Sequence, residues 1–175
     1  MVAAIGVGGS RHRRVVYLLA LVLLLGAIAA LAVWSAYGRR GHKVSACRSQ
    51  VVRGVLPVWA RAGFSNPRPR GPYVLAAAGK LTALLWADPL LSPPPKDHNN
   101  KILWVARVPD VSGSALRISA QRMIGSTPVG SAVGHKVMGG PGPSIINMPA
   151  AGCWRFTLRW AGQVDTLDLS YAANR

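Results

Sequence analysis

Residues 15–38, VVYLLALVLLLGAIAALAVWSAYG, form an uncharged apolar run, and no other feature limits so strongly what this 175-residue chain can fold into. Arg11, Arg13 and Arg14 precede the run; Arg39, Arg40 and Lys43 follow it. A helix rises about 1.5 Å per residue, so Val15 to Val33 covers the roughly 30 Å hydrocarbon core of a bilayer. Trp34 and Tyr37 stand at the far end, where amphipathic rings favour the headgroup layer. The expectation is a basic cytoplasmic tail over 1–14, a transmembrane helix over 15–37, a juxtamembrane linker over 38–46 and an aqueous domain over 47–175. The six flanking cations are then headgroup contacts with membrane lipid.

Two other fates compete with an uncleaved anchor. A secretory signal has a basic start and a small-x-small cleavage site, which Ala27 and Ala29, or Ala30 and Ala32, supply. Those pairs lie inside the apolar run, however, and the run exceeds an ordinary signal core of about 7–15 residues. Val44-Ser45-Ala46-Cys47 resembles a lipoprotein box, but the polar GRRGHK separates it from the apolar core.

Basic residues flank both ends of the run, so charge alone leaves the orientation open. The two cysteines decide it. Cys47 and Cys153 are the only two cysteines in the chain; the expectation is one disulfide tying the start of the domain to a late strand, the alternative being two unrelated buried thiols. Such a bond persists in oxidising compartments, which places the domain on the extracytoplasmic side of the cell membrane. No CxxC or Cys/His cluster points to zinc.

The formal net charge is +16, from 21 basic and 5 acidic residues, none of the acids being Glu. A surface of this sign draws anionic lipid headgroups, acidic cell-wall polymers or nucleic acid, all weakened by salt, and an envelope protein is a further candidate partner. The cations are scattered along the chain rather than gathered in a tract. With no reader motif and the wrong compartment, nucleic acid is excluded as a partner.

After the linker the texture is all-β. Short apolar runs at 73–78 and 81–87 read as a hairpin, and KILWVARV (101–108) has apolar residues on both faces, as a central strand does. Leu116, Ile118 and Ala120 alternate with Arg117, Ser119 and Gln121. Trp154, Phe156, Leu158 and Trp160 alternate with Arg155, Thr157 and Arg159, and Leu167, Leu169 and Tyr171 mark a last inward face. With a strand near Val55 to Trp59, about seven strands result, and an immunoglobulin-like β-sandwich is the natural packing. Gly125 to Pro143 is rich in glycine and proline and is expected to be a long loop.

The closing run Gly152-Cys153-Trp154-Arg155-Phe156-Thr157-Leu158-Arg159-Trp160 resembles a group of bacterial secreted or membrane-anchored domains that end in Gly-Cys-Trp-Arg-x-Thr-Leu-x-Trp. NKILWVAR (100–107) and PSIINMPAAG (143–152) look similar as well. The resemblance implies an extracytoplasmic β-sandwich and brings no activity or catalytic residue with it.

Catalytic patterns are thin. His98 and His135 with Ser126, Ser131 and Ser144 supply the residue types of a hydrolase, without a GxSxG elbow. Asp165 and Asp168 are three apart and face opposite sides of a strand, so they read as surface charges or as partners for Arg155 and Arg159. GSAVGHK (130–136) departs from the phosphate-loop spacing. Trp104, Trp154 and Trp160 read as core, whereas Trp59 and Trp86 are candidates for exposure. The expectation is a membrane-anchored binding or structural module at the bacterial envelope, with no enzyme activity and no catalytic, cofactor-binding or metal residues. The envelope hydrolase and the secreted or lipid-anchored form are the rivals.

Overall fold

The computed structural model describes residues 47–108 and 112–174. The apolar run and its flanks Arg11, Arg13, Arg14, Arg39, Arg40 and Lys43 lie outside the described residues. Among those described, no helix is long and apolar enough to cross a membrane.

The domain is all-β, with two five-stranded sheets packed face to face. The first sheet has the order β1-β2-β3-β5-β8, formed by Val52–Val55, Arg70–Leu75, Leu81–Leu85, Lys101–Ala106 and Pro143–Ile145. The second runs β4-β10-β9-β6-β7, formed by Leu90–Ser92, Gln163–Ala173, Gly152–Trp160, Leu116–Ile124 and Thr127–Val137. All pairings are antiparallel except β4 with β10.

Side chains alternate as the period of a pleated strand requires. Ile102 and Trp104 of one sheet meet Leu116, Ile118, Trp154, Phe156, Leu158, Leu167, Leu169 and Tyr171 of the other, all buried in one core. The Trp104 and Phe156 rings sit 6.1 Å apart across the two sheets. Polar tips reaching this core are satisfied: Trp104 Nε1 donates to Ser144 Oγ at 2.8 Å and Tyr171 Oη to the Ile146 carbonyl at 2.8 Å. Burial pushes the Tyr171 phenol well above its ordinary pKa.

The two apolar faces of β5 also find their cause. Its other face, with Leu103 and Val105, packs against Leu56, Ala60, Tyr73, Leu84, Trp59 and Phe64. The chain between β1 and β2 thus forms a lid over the outside of the first sheet. The strand expected near Val55 to Trp59 stops at Val55, because Pro57 opens a 3-10 turn over Val58–Ala60 that lays Ala60 into this lid.

Among the described residues ten strands stand where about seven were expected. The largest correction is the Gly/Pro-rich stretch, which contains the eleven-residue strand β7. β7 is an edge strand, paired only with β6, so Pro128 opposite Met123 forfeits no inner ladder bond. Gly130, at φ +69°, absorbs a register shift against β6, and Gln121 Nε2 donates to the carbonyls of Val129 and Gly130 at 2.8 and 3.1 Å. The glycines mark a bulge within a strand. β4 and β8, three residues each, are too short to declare themselves by alternation.

His135 lies on β7 with Val133 and Val137, on the side turned toward the core. Its Nε2 is buried without a hydrogen-bond partner among the described residues, and desolvation holds the imidazole pKa below its ordinary value. A depressed histidine pKa means that the unfolded chain takes up the proton first as pH falls. The contribution of His135 to stability is therefore constant above about pH 6.5 and is lost progressively below it. His135→Val should abolish that acid-side loss, read as the thermal midpoint at neutral pH and at about pH 5. A variant with an unchanged pH slope would show that another group is responsible.

Candidate functional site

The outer face of the second sheet carries the chemistry, arranged in rows across its strands. β9 presents Cys153, Arg155, Thr157 and Arg159 on this side because its odd-numbered residues alternate with the buried Trp154, Phe156, Leu158 and Trp160. The register extends each of them into a row on the neighbouring strands.

The first row is covalent. Cys153 is bonded to Cys47 with the α-carbons 5.4 Å apart, inside the range a disulfide needs. Met123 of β6 and Ser170 of β10 flank Cys153. Cys153 is buried, more fully than an arginine-bearing face suggests, because the incoming chain roofs it. A sulfur held in a disulfide is not at the same time available for a thioether-linked lipid.

The second row is an ion pair. Arg155 donates from Nε and Nη2 to the two carboxylate oxygens of Asp168 at 2.9 and 3.1 Å. That bond raises the guanidinium pKa above its ordinary value. Asp168 also receives Arg48 N–H at 3.3 Å, and its own N–H donates to Ser49 Oγ at 2.8 Å. Residues 47–49 are thereby fastened over Arg155 and Asp168.

Asp165 has a different task from the one expected. It is 4% exposed on the inward side of β10 and accepts the N–H groups of Ala78 and Lys80 at 2.8 and 2.9 Å. It thus caps the β2–β3 turn of the opposite sheet. Asp165 and Asp168 do face opposite sides, but both are buried, and only Asp168 pairs with an arginine.

The third row is polar and neutral: Ser119, Thr157 and Thr166 stand side by side on β6, β9 and β10. The fourth is cationic. Lys136 of β7 faces Arg117 of β6, Arg117 faces Arg159 of β9, and Arg159 faces Val164 of β10. All three cations are exposed. The ion pairs among the described residues are Arg53–Asp88 and Arg155–Asp168, so no described carboxylate neutralises this row. A cleft of about 430 Å³ opens beside it, bordered by Met138, Ser114, Trp160 and the Ala161-Gly162 turn.

The residue types of a hydrolase are dispersed. Ser144 is engaged by Trp104 on the first sheet, His135 and Ser131 sit on β7, and Ser126 is in the turn before it. His98 Nε2 lies 3.3 Å from Asn100 Oδ1, and Asn100 clamps Leu91 of β4 through both its N–H and its carbonyl. Trp86 is 57% exposed with the Lys101 ammonium 4.1 Å above its ring, and Trp59 is half-buried in the lid. Among the described residues no three His, Cys, Asp or Glu side chains gather as a metal site would.

The Gly-Cys-Trp-Arg run has a structural task at each position. Gly152 takes φ +133°, a backbone L side chains rarely adopt, and a Cβ there would sit 3.2 Å from Arg122 Nε. Cys153 holds the roof, Trp154 fills the core and donates to the Ala150 carbonyl, and Arg155 pairs with Asp168. Sequence reasoning found each of these residues but missed the cationic row. Arg117, Lys136 and Arg159 are distant in the chain and become neighbours only through register. No protein-family model, curated protein or solved structure matches the chain.

Proposed function

We propose that the chain is a single-pass membrane protein whose domain from Cys47 onward stands outside the cytoplasm, as a binding or structural module of the bacterial envelope. The Cys47–Cys153 disulfide carries this reading, because a bond of this kind endures in an oxidising compartment. The uncharged run of residues 15–38 supplies the anchor, and the six flanking cations its headgroup contacts. In the domain the polar residues that suggested chemistry hold the fold together: Ser144 supports Trp104, Asp165 caps a turn and Asp168 secures the roof. That favours binding over catalysis. The Gly-Cys-Trp-Arg resemblance belongs to the same reading.

The sandwich is of immunoglobulin-like type in this proposal. Strands β10, β9, β6 and β7 follow the G-F-C-C′ order of a variable domain, and β3, β5 and β8 follow A-B-E. β1, β2 and their lid are then an addition at the start.

A phosphatase reporter fused after Arg175 should be active, and a reporter that works only in the cytoplasm should be silent. The reverse pattern would overturn both orientation and compartment. Intact mass of the purified protein separates the anchored form from a secreted one, since cleavage at Ala29 or Ala32 removes the residues before it.

A further inference from the structure

The outer face of the second sheet holds two kinds of arginine. Arg155 is neutralised by Asp168 and roofed by the entering chain. Arg159, four residues further along the same strand, lies directly opposite Arg117, which lies directly opposite Lys136. Like charges placed opposite one another destabilise a sheet. Three in a row, with no acid paired to them among the described residues, are a standing repulsion that a bound anion relieves.

The surroundings narrow the ligand. Adjacent strands are about 4.8 Å apart, so a ligand lying across them meets a cation at each strand over roughly 10 Å. Guanidinium groups fork onto phosphate or carboxylate oxygens, and a lysine adds a point charge. The hydroxyls of Ser119, Thr157 and Thr166 form the next row, where neutral polar parts of the same ligand find partners. Met138 and Val164, 74% and 46% exposed, border the cleft and offer apolar contact to a chain of carbon atoms. A lone small anion bridges neighbouring cations at most and leaves the hydroxyl row and the apolar border of the cleft unused.

We infer that the Lys136–Arg117–Arg159 row and its cleft bind a linear polyanion, a polyol or sugar chain bearing phosphate or carboxylate groups, laid across strands β7, β6 and β9. That the polymer belongs to the envelope rests on the function proposed above; the site itself does not. A lipid surface fits less well. The row lies in a cleft, which a flat headgroup surface does not enter.

The full chain in neutral detergent micelles is titrated with inorganic polyphosphate, with polygalacturonate and with phosphatidylglycerol vesicles. The two polymers distinguish phosphate from carboxylate as the recognised group. Wild type is compared with R117Q/R159Q and with R68Q/R70Q, which removes the same charge from exposed arginines on and before β2. Binding to at least one polymer should weaken by about tenfold or more in R117Q/R159Q, and by less than about twofold in R68Q/R70Q. The thermal midpoint of R117Q/R159Q should equal or exceed that of wild type, since a repulsion has been removed. If that variant fails to fold, Lys136→Gln on the edge strand reads the same loss on a smaller scale. Equal weakening in both arginine pairs would reduce the effect to net charge and overturn the site. So would wild type that binds neither polymer, or row-dependent binding to vesicles alone. Each of these outcomes stands whatever the reporter fusions say, so failure of the site and failure of the compartment are read separately.

Discussion

Replacing Cys47 and Cys153 together by alanine should lower the stability of the domain by up to about 4–5 kcal/mol. The bond joins residues 106 apart in sequence, and in the chain-entropy model a loop of about that length contributes close to this amount. For a domain of this size the thermal midpoint should fall on the order of 10–20 °C. The loss is not entropic alone. Without the bond, Arg48 N–H and Ser49 Oγ leave Asp168, and a carboxylate 5% exposed in the folded domain becomes hydrated while Arg155 loses its cover. Each single alanine variant should approach the double, since either one breaks the same link. Peptide mapping of unreduced protein should recover Cys47 joined to Cys153. Thermal unfolding that is unchanged by reduction would mean that the roof contributes nothing beyond its hydrogen bonds.

Trp104→Ala should cost about 3–5 kcal/mol, whereas Trp86→Ala should cost less than about 1 kcal/mol. Trp104 is 1% exposed, lies between the sheets against Phe156 and places its indole N–H on Ser144. Its removal opens a cavity in the core and leaves the Ser144 hydroxyl without its donor. The Trp86 side chain is exposed, with the Lys101 ammonium above its ring. Chemical denaturation of the two variants reads the contrast. Similar losses at both positions would show that the sandwich is not packed about Trp104.

The core strands are legible in the sequence alone. Alternation of period two in residues 116–121, 154–160 and 167–171 names the inward face of each strand correctly, because one face is buried and one is not. The doubly apolar 101–108 segment announces a central strand, although its second partner is a loop-borne lid. The elements that periodicity misses share a physical cause. β7 gains its place by pairing with β6 at an edge, where glycine and proline are tolerated, so composition conceals a strand that hydrogen bonding makes. β4 and β8 are too short to show a period.

The sequence by itself determined the all-β class, the inward residues of the central strands and the two cysteines available to pair. These follow from local periodicity and composition, which need no knowledge of the partner strand. Tertiary structure alone decided the rest. Register placed Lys136, Arg117 and Arg159 side by side, and the crossing of the sheets turned Asp165 into a turn cap. The disulfide fastened residues 47–49 over Asp168. Contacts between residues far apart in the chain depend on which strands become neighbours and on their offset, and the energy that fixes both is shared across the whole core.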